Sequence, residues 1–163
     1  MRRVATFLGT TAIVLMATSA YAQAPNFAGT WTLDAEKTAA ASPAPAGGGR
    51  GGMGGGRGGG GSMTVTQDAA KLVISQTMGE NTITTTYNLD GSPSTNAGMG
   101  GGRGGGAAEV TSTAKWDGAK LVVTNSNGQT ITFHMDGAWM VRTTTRPGRE
   151  GGPAITTAQY FKK

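Results

Sequence analysis

Cysteine is absent from this chain and histidine occurs once, as His134. Without cysteine there can be no disulfide, no thiolate metal site, no cysteine nucleophile and no lipidated N-terminal cysteine. A lone histidine in a strand, opposite the face of Phe133 and Met135, lacks the partners that a catalytic or metal role needs. Acids are also scarce, with nine Asp and Glu in the whole chain. Asp34, Asp68, Glu80, Asp90, Asp117 and Asp136 all fall at turns or caps. None of the turns has the spacing of an EF-hand, which gathers several oxygen ligands within about 12 residues. The many serines and threonines have no paired base to activate them. The sequence therefore reads as non-enzymatic, with no catalytic residue, metal site or cofactor expected. Nor is there a long apolar run. The best, Phe7 to Ala17, falls short of the roughly 20 residues that a spanning helix needs.

Glycine, by contrast, is abundant and unevenly placed. Of 29 glycines, 12 lie in residues 47–61 and seven in 98–106. The first tract is interrupted by Arg50, Met53 and Arg57, the second by Met99 and Arg103. Such segments bury too little side chain to offset their ordering entropy, so flexible insertions are expected over 39–61 and 92–107. They are not phosphate loops, since Gly-Lys-Ser/Thr and a preceding buried strand are missing. Arg-Gly-Gly recurs at 50–52, 57–59 and 103–105, as in some RNA-binding segments. Interleaved Phe or Tyr is missing, however, and the formal charge of +5 is of the size that serves solubility. Nucleic acid is disfavoured as a partner.

The first 22 residues read as an export signal. Arg2 and Arg3 precede the apolar run, and Ala20-Tyr21-Ala22 offers small residues where a signal peptidase looks, placing cleavage between Ala22 and Gln23. The mature chain is then expected in the periplasm or secreted, as one domain over 23–163 with no transmembrane span.

What remains alternates like sheet. Strands are expected to begin near residues 27, 63, 71, 81, 109, 120, 129, 138 and 154. Over 81–89, Ile83, Thr85, Tyr87 and Leu89 face one way, while Thr82, Thr84, Thr86 and Asn88 face the other. That is the pattern of a strand wet on one side. Asp117-Gly118, Asn127-Gly128 and Asp136-Gly137 are hairpin signals, because Asn, Asp and Gly tolerate positive φ. Asp34 is placed to cap a helical turn. The expected fold is all-β, an antiparallel up-and-down meander of about nine short strands closing into a barrel. An open β-sandwich is the alternative.

Gly29-Thr30-Trp31 at the head of such a meander resembles the lipocalin-like, calycin-type barrels. In those proteins the tryptophan closes the barrel base and a basic residue from near the end of the barrel packs across it. The resemblance implies Gly29 and Trp31 as structural anchors, with Arg142 or Lys162 as the basic residue. Phe27-x-Gly29-x-Trp31-x-Leu33-Asp34, followed by Thr66-Gln67-Asp68, Lys115-Trp116-Asp117-Gly118 and Tyr160-x-Lys162, is similar to small uncharacterised exported bacterial proteins.

Trp116, Phe133, Trp139, Tyr87 and Tyr160 are the candidates to line a ligand cavity or fill the core. Two functions stay open. One is a carrier holding a small apolar ligand inside the barrel. The other is an envelope structural or interaction protein that presents its Gly/Arg-rich loops to a partner or an anionic surface.

Overall fold

The computed structural model describes residues 24–41, 62–78, 81–97, 109–148 and 152–163. The glycine-dense tracts and the leader fall outside these residues. Ten strands and one helix succeed one another: β1 (Gly29–Leu33), α1 (Ala35–Ala41), β2 (Ser62–Gln67), β3 (Lys71–Met78), β4 (Asn81–Asn88), β5 (Ser94–Ala97), β6 (Glu109–Asp117), β7 (Lys120–Asn125), β8 (Thr130–Asp136), β9 (Trp139–Arg146) and β10 (Ile155–Lys162). They form a single sheet in the order β4-β3-β2-β1-β10-β9-β8-β7-β6-β5, all pairs antiparallel. One sheet curled on itself replaces the sandwich alternative with a nearly closed up-and-down barrel.

Sequence neighbours pair because the links are tight. Gly118, Gly128 and Gly137 take φ of 57°, 80° and 60°, the left-handed backbone that the three Asx-Gly turns require. The turn at Asp68 is held by its own carboxylate, which accepts from the Ala70 and Lys71 N–H groups at 2.7 Å each.

The strand missing from the expected set is β5. Ser94-Thr95-Asn96-Ala97 has no apolar alternation and sits between Pro93 and the second glycine tract, so composition alone places it in the insertion. Pairing with β6 makes it a strand, Ser94 opposite Ser112 and Asn96 opposite Val110. Likewise α1 extends order to Ala41, inside the margin of the first insertion.

Alternation divides the wall cleanly. Phe27, Trp31, Met63, Leu72, Leu121, Phe133 and Met140 are almost wholly buried inside. The outer face carries hydroxyls instead, in rows that follow the register: Thr113, Thr124, Thr130, Thr145 and Thr156 stand side by side across β6 to β10. Cross-strand pairs Ser75–Thr84 (3.2 Å) and Thr145–Thr156 (3.0 Å) bond through their side chains. Threonine suits such a wall, being β-branched and wettable.

Helix α1 clasps the outside of the barrel. Asp34 caps it, accepting from the Lys37 N–H at 3.1 Å. Asp34 N–H also extends the ladder to the Tyr160 carbonyl (2.8 Å), and Thr38 Oγ1 accepts from Tyr160 N–H (3.0 Å). Lys37 then lies 3.4 Å over the Trp139 ring, 4.8 Å from the Tyr160 ring and 3.5 Å from Asp136.

The Lys37 N–H, more than any other group, holds the Asp34 carboxyl below its ordinary range. Partial burial opposes this, and the Lys162 ammonium, 3.4 Å away, reinforces it. The Trp139 indole N–H, nearby but without a well-formed hydrogen bond, adds to the same effect. A carboxyl lowered by folding contributes stability above its unfolded value, near pH 4, and loses it as pH falls through the folded value. Asp34→Asn is thus expected to melt lower than the parent at pH 7, with the gap narrowing at pH 3. Calorimetry at the two pH values checks this.

Candidate functional site: the barrel interior

The interior has a filled floor. Phe27 stacks on Trp116 (6.0 Å between centroids, 12° between planes) and tilts against Phe133 at 6.3 Å, which in turn meets Tyr87 at 6.3 Å. The lead-in strap before β1 is tied down by Gln67, which accepts from Phe27 N–H (2.8 Å) and donates to the Pro25 carbonyl (3.1 Å). Trp31 sits 1% exposed with its indole N–H on the Phe27 carbonyl at 2.8 Å. Trp31 of the Gly-x-Trp motif is thereby fixed in the core beside the strap that precedes β1.

The basic residue across Trp31 is neither of those expected. Lys163 places its ammonium 4.9 Å from the ring. Arg142 instead lies over Phe161, at 5.4 Å, and Lys162 pairs with Asp34. Parity explains the correction. Thr32 opposes Lys162 and Leu33 opposes Phe161, so Lys162 faces outward with Thr32, and the next residue shares the inward face of Trp31. Gly29 is shaped for the same contact: its φ is +138°, and a Cβ there would stand 2.9 Å from Lys163 Cε. The side chain could move, but the backbone conformation is strained for any L-residue. Gly29→Ala is expected to cost about 1–2 kcal/mol by chemical denaturation.

Of the five aromatic lining candidates, Trp116, Phe133 and Tyr87 belong to the inner cluster or pack against it. Trp139 and Tyr160 do not line the interior. They stand on the outer face, where Lys37 of α1 covers them. His134 is on the outer face too, opposite Val141. Its pKa is lowered first by burial, then by the Lys120 charge, with Asp136 opposing. Its Nδ1 has no hydrogen-bond partner among the described residues.

Above the floor the lining becomes mixed. Register directs Ile83, Val110 and Ile131 inward together with Thr85, Gln129 and Arg142. One wall carries a polar rail: Ser112 Oγ to Asn125 Oδ1 at 2.8 Å, then Asn125 Nδ2 to Gln129 Oε1 at 3.0 Å.

On the neighbouring strand β9 is the residue that sequence reasoning misassigned. Arg142 stands between Phe133 of β8 and Gln159 of β10. Its Nε and Nη2 both donate to the single Gln159 Oε1, at 3.0 and 2.6 Å. Burial pulls its pKa down, with Tyr87 opposing; burial likewise raises the Tyr87 phenol, against the pull of the Arg142 charge. A guanidinium stays charged in any protein setting. Among the described residues no carboxylate pairs with it, the two ion pairs present being Lys37–Asp136 and Lys162–Asp34. The signal for its inward placement was the i, i+2 parity with Met140, matched by Gln159 with Phe161.

Among the described residues no three His, Asp or Glu gather as metal ligands, and no helix is long and apolar enough to cross a membrane. No protein-family model and no curated protein sequence matches the chain. Solved structures do. A zebrafish ileal bile acid-binding protein complexed with cholic acid superposes with a TM-score of 0.60 at 19% identity, over 84% of this chain and 98% of that one. Human cRBP IV gives 0.55 at 14% identity, covering 85% and 98%. The REP1-NXSQ fatty acid transporter gives 0.53 at 12%, covering 83% and 94%. At such identities the likeness is one of fold alone, an antiparallel up-and-down β-barrel.

Proposed function

We propose that this protein is an exported, non-enzymatic carrier that holds a small, largely apolar molecule in the barrel above its aromatic floor, with an anionic end of that molecule on Arg142. The observation that carries the reading is the inward guanidinium whose only acceptor among the described residues is a neutral amide. An uncompensated charge inside a protein is costly, and such charges persist where they meet a counter-charge. Arg presents a planar fork of donors suited to a carboxylate. The named neighbours, described as complexed with cholic acid or as a fatty acid transporter, support the same class of ligand by analogy of fold. Export is supported by the composition of residues 1–22 alone.

The test is titration of the purified mature chain with anilinonaphthalene sulfonate, an apolar anion, and its displacement by laurate or by dodecanol. Saturable binding with laurate displacing better than dodecanol is the expected result. Absence of saturable binding by the probe and by both competitors would sink the carrier.

A further inference from the structure

The sheet's two edge strands are sequence neighbours. The ladder runs without a break from β4 round to β5, and these two strands lie side by side without a backbone pair between them. Elsewhere the wall is continuous: β3 and β4 are joined through eight opposed positions. An unpaired edge leaves N–H and C=O groups to be satisfied by something else.

Here one side chain does it. Asn96 Oδ1 accepts from Thr86 N–H at 2.7 Å, and Asn96 Nδ2 donates to the Thr86 carbonyl at 2.8 Å. A carboxamide offers the same donor and acceptor as a peptide group, so Asn96 stands in for a single rung of ladder. Below it the seam is tied by the turn. Asp90 Oδ1 accepts from Ser92 N–H and Oγ–H at 2.8 and 2.6 Å, and Asn88 Nδ2 donates to the Pro93 carbonyl at 2.9 Å. Among the described residues the seam is hinged at one end and held by one residue along its length. It also runs past the site, since Thr86 immediately precedes Tyr87, whose ring meets Phe133 in the floor of the interior.

We propose that the β4–β5 seam is the entrance through which ligand reaches the interior, and that the Asn96 side chain is the latch that closes it. This rests on the carrier reading above. Parting the seam breaks one two-point contact. Parting the wall at any other junction breaks backbone ladder, from two opposed positions between β1 and β10 to eight between β3 and β4.

The test uses the full mature chain with Asn96→Ala and Asn96→Asp. Asp keeps an acceptor for Thr86 N–H but turns a second acceptor, in place of the donor, toward the Thr86 carbonyl. Amide exchange followed by NMR is expected to show Thr86 N–H exchanging about tenfold faster or more in Asn96→Ala, with the β2–β3 amides unchanged. Stopped-flow mixing with anilinonaphthalene sulfonate is expected to show faster association and faster release in Asn96→Ala, at an affinity within about threefold of the parent, and intermediate rates in Asn96→Asp. Unchanged Thr86 exchange overturns the latch. Faster exchange with unaltered association overturns the entrance while leaving the carrier intact. No saturable uptake by the parent overturns both the carrier and the entrance.

Discussion

Trp31→Ala is expected to cost about 3–5 kcal/mol of folding stability, the range for removing a fully buried large aromatic side chain. The ring is 1% exposed, so the substitution opens a cavity in the floor of the barrel. It also strips the Phe27 carbonyl of the indole N–H at 2.8 Å, leaving a buried acceptor unpaired. Lys163 loses the ring beneath its ammonium as well. These effects fall on one structural unit, because Phe27 joins Trp31 to Trp116 and Phe133 through its own ring. Trp31→Phe separates them. It keeps most of the volume and gives up the hydrogen bond, so a cost of about 1–3 kcal/mol is expected. Urea denaturation followed by far-UV circular dichroism reads both. If Trp31→Ala unfolds at the parent's midpoint, Trp31 does not hold the barrel.

Local patterns made the wall legible from the sequence. Alternation in 81–89 set Ile83, Thr85 and Tyr87 on one face and Thr82, Thr84 and Thr86 on the other, and three Asx-Gly turns set the hairpins; the structure agrees at each place. What escaped were features that depend on register between distant strands. Whether Lys162 or Lys163 crosses Trp31 is a matter of one residue in the β1–β10 pairing, and nothing within either strand decides it. Trp139 and Tyr160 looked like core because they are aromatic. They are half-buried on the outer face instead, where the lysine of a helix, not an apolar side chain, packs on them. Asn96 was invisible for a related reason. Its task is to replace backbone that is missing from a neighbouring edge, and that need exists only once the barrel has closed. Arg142 and Gln159 are seventeen residues apart in sequence and become partners only through the β9–β10 register.

Charging that last pair should have the largest effect on binding. Gln159→Glu sets a carboxylate where the Gln159 amide oxygen now takes both Nε and Nη2 of Arg142, at 3.0 and 2.6 Å. The guanidinium then has an internal counter-ion, and an incoming anion meets repulsion in place of an open charge. A hydrogen bond to a charged group contributes about 1.5–3 kcal/mol, so laurate should lose about 10–100-fold in affinity. Dodecanol, which carries no charge, should change little. Stability should move the other way. Parent Arg142 is a half-buried, inward-facing cation with no carboxylate partner among the described residues, so both Gln159→Glu and Arg142→Met are expected to melt no lower than the parent, while each abolishes the preference for laurate over dodecanol. That pairing of equal or higher melting temperature with lost discrimination marks a residue kept for a ligand at some expense to the fold. If Arg142→Met unfolds the chain and the laurate preference survives in Gln159→Glu, then Arg142 holds the barrel together and the anion does not bind there.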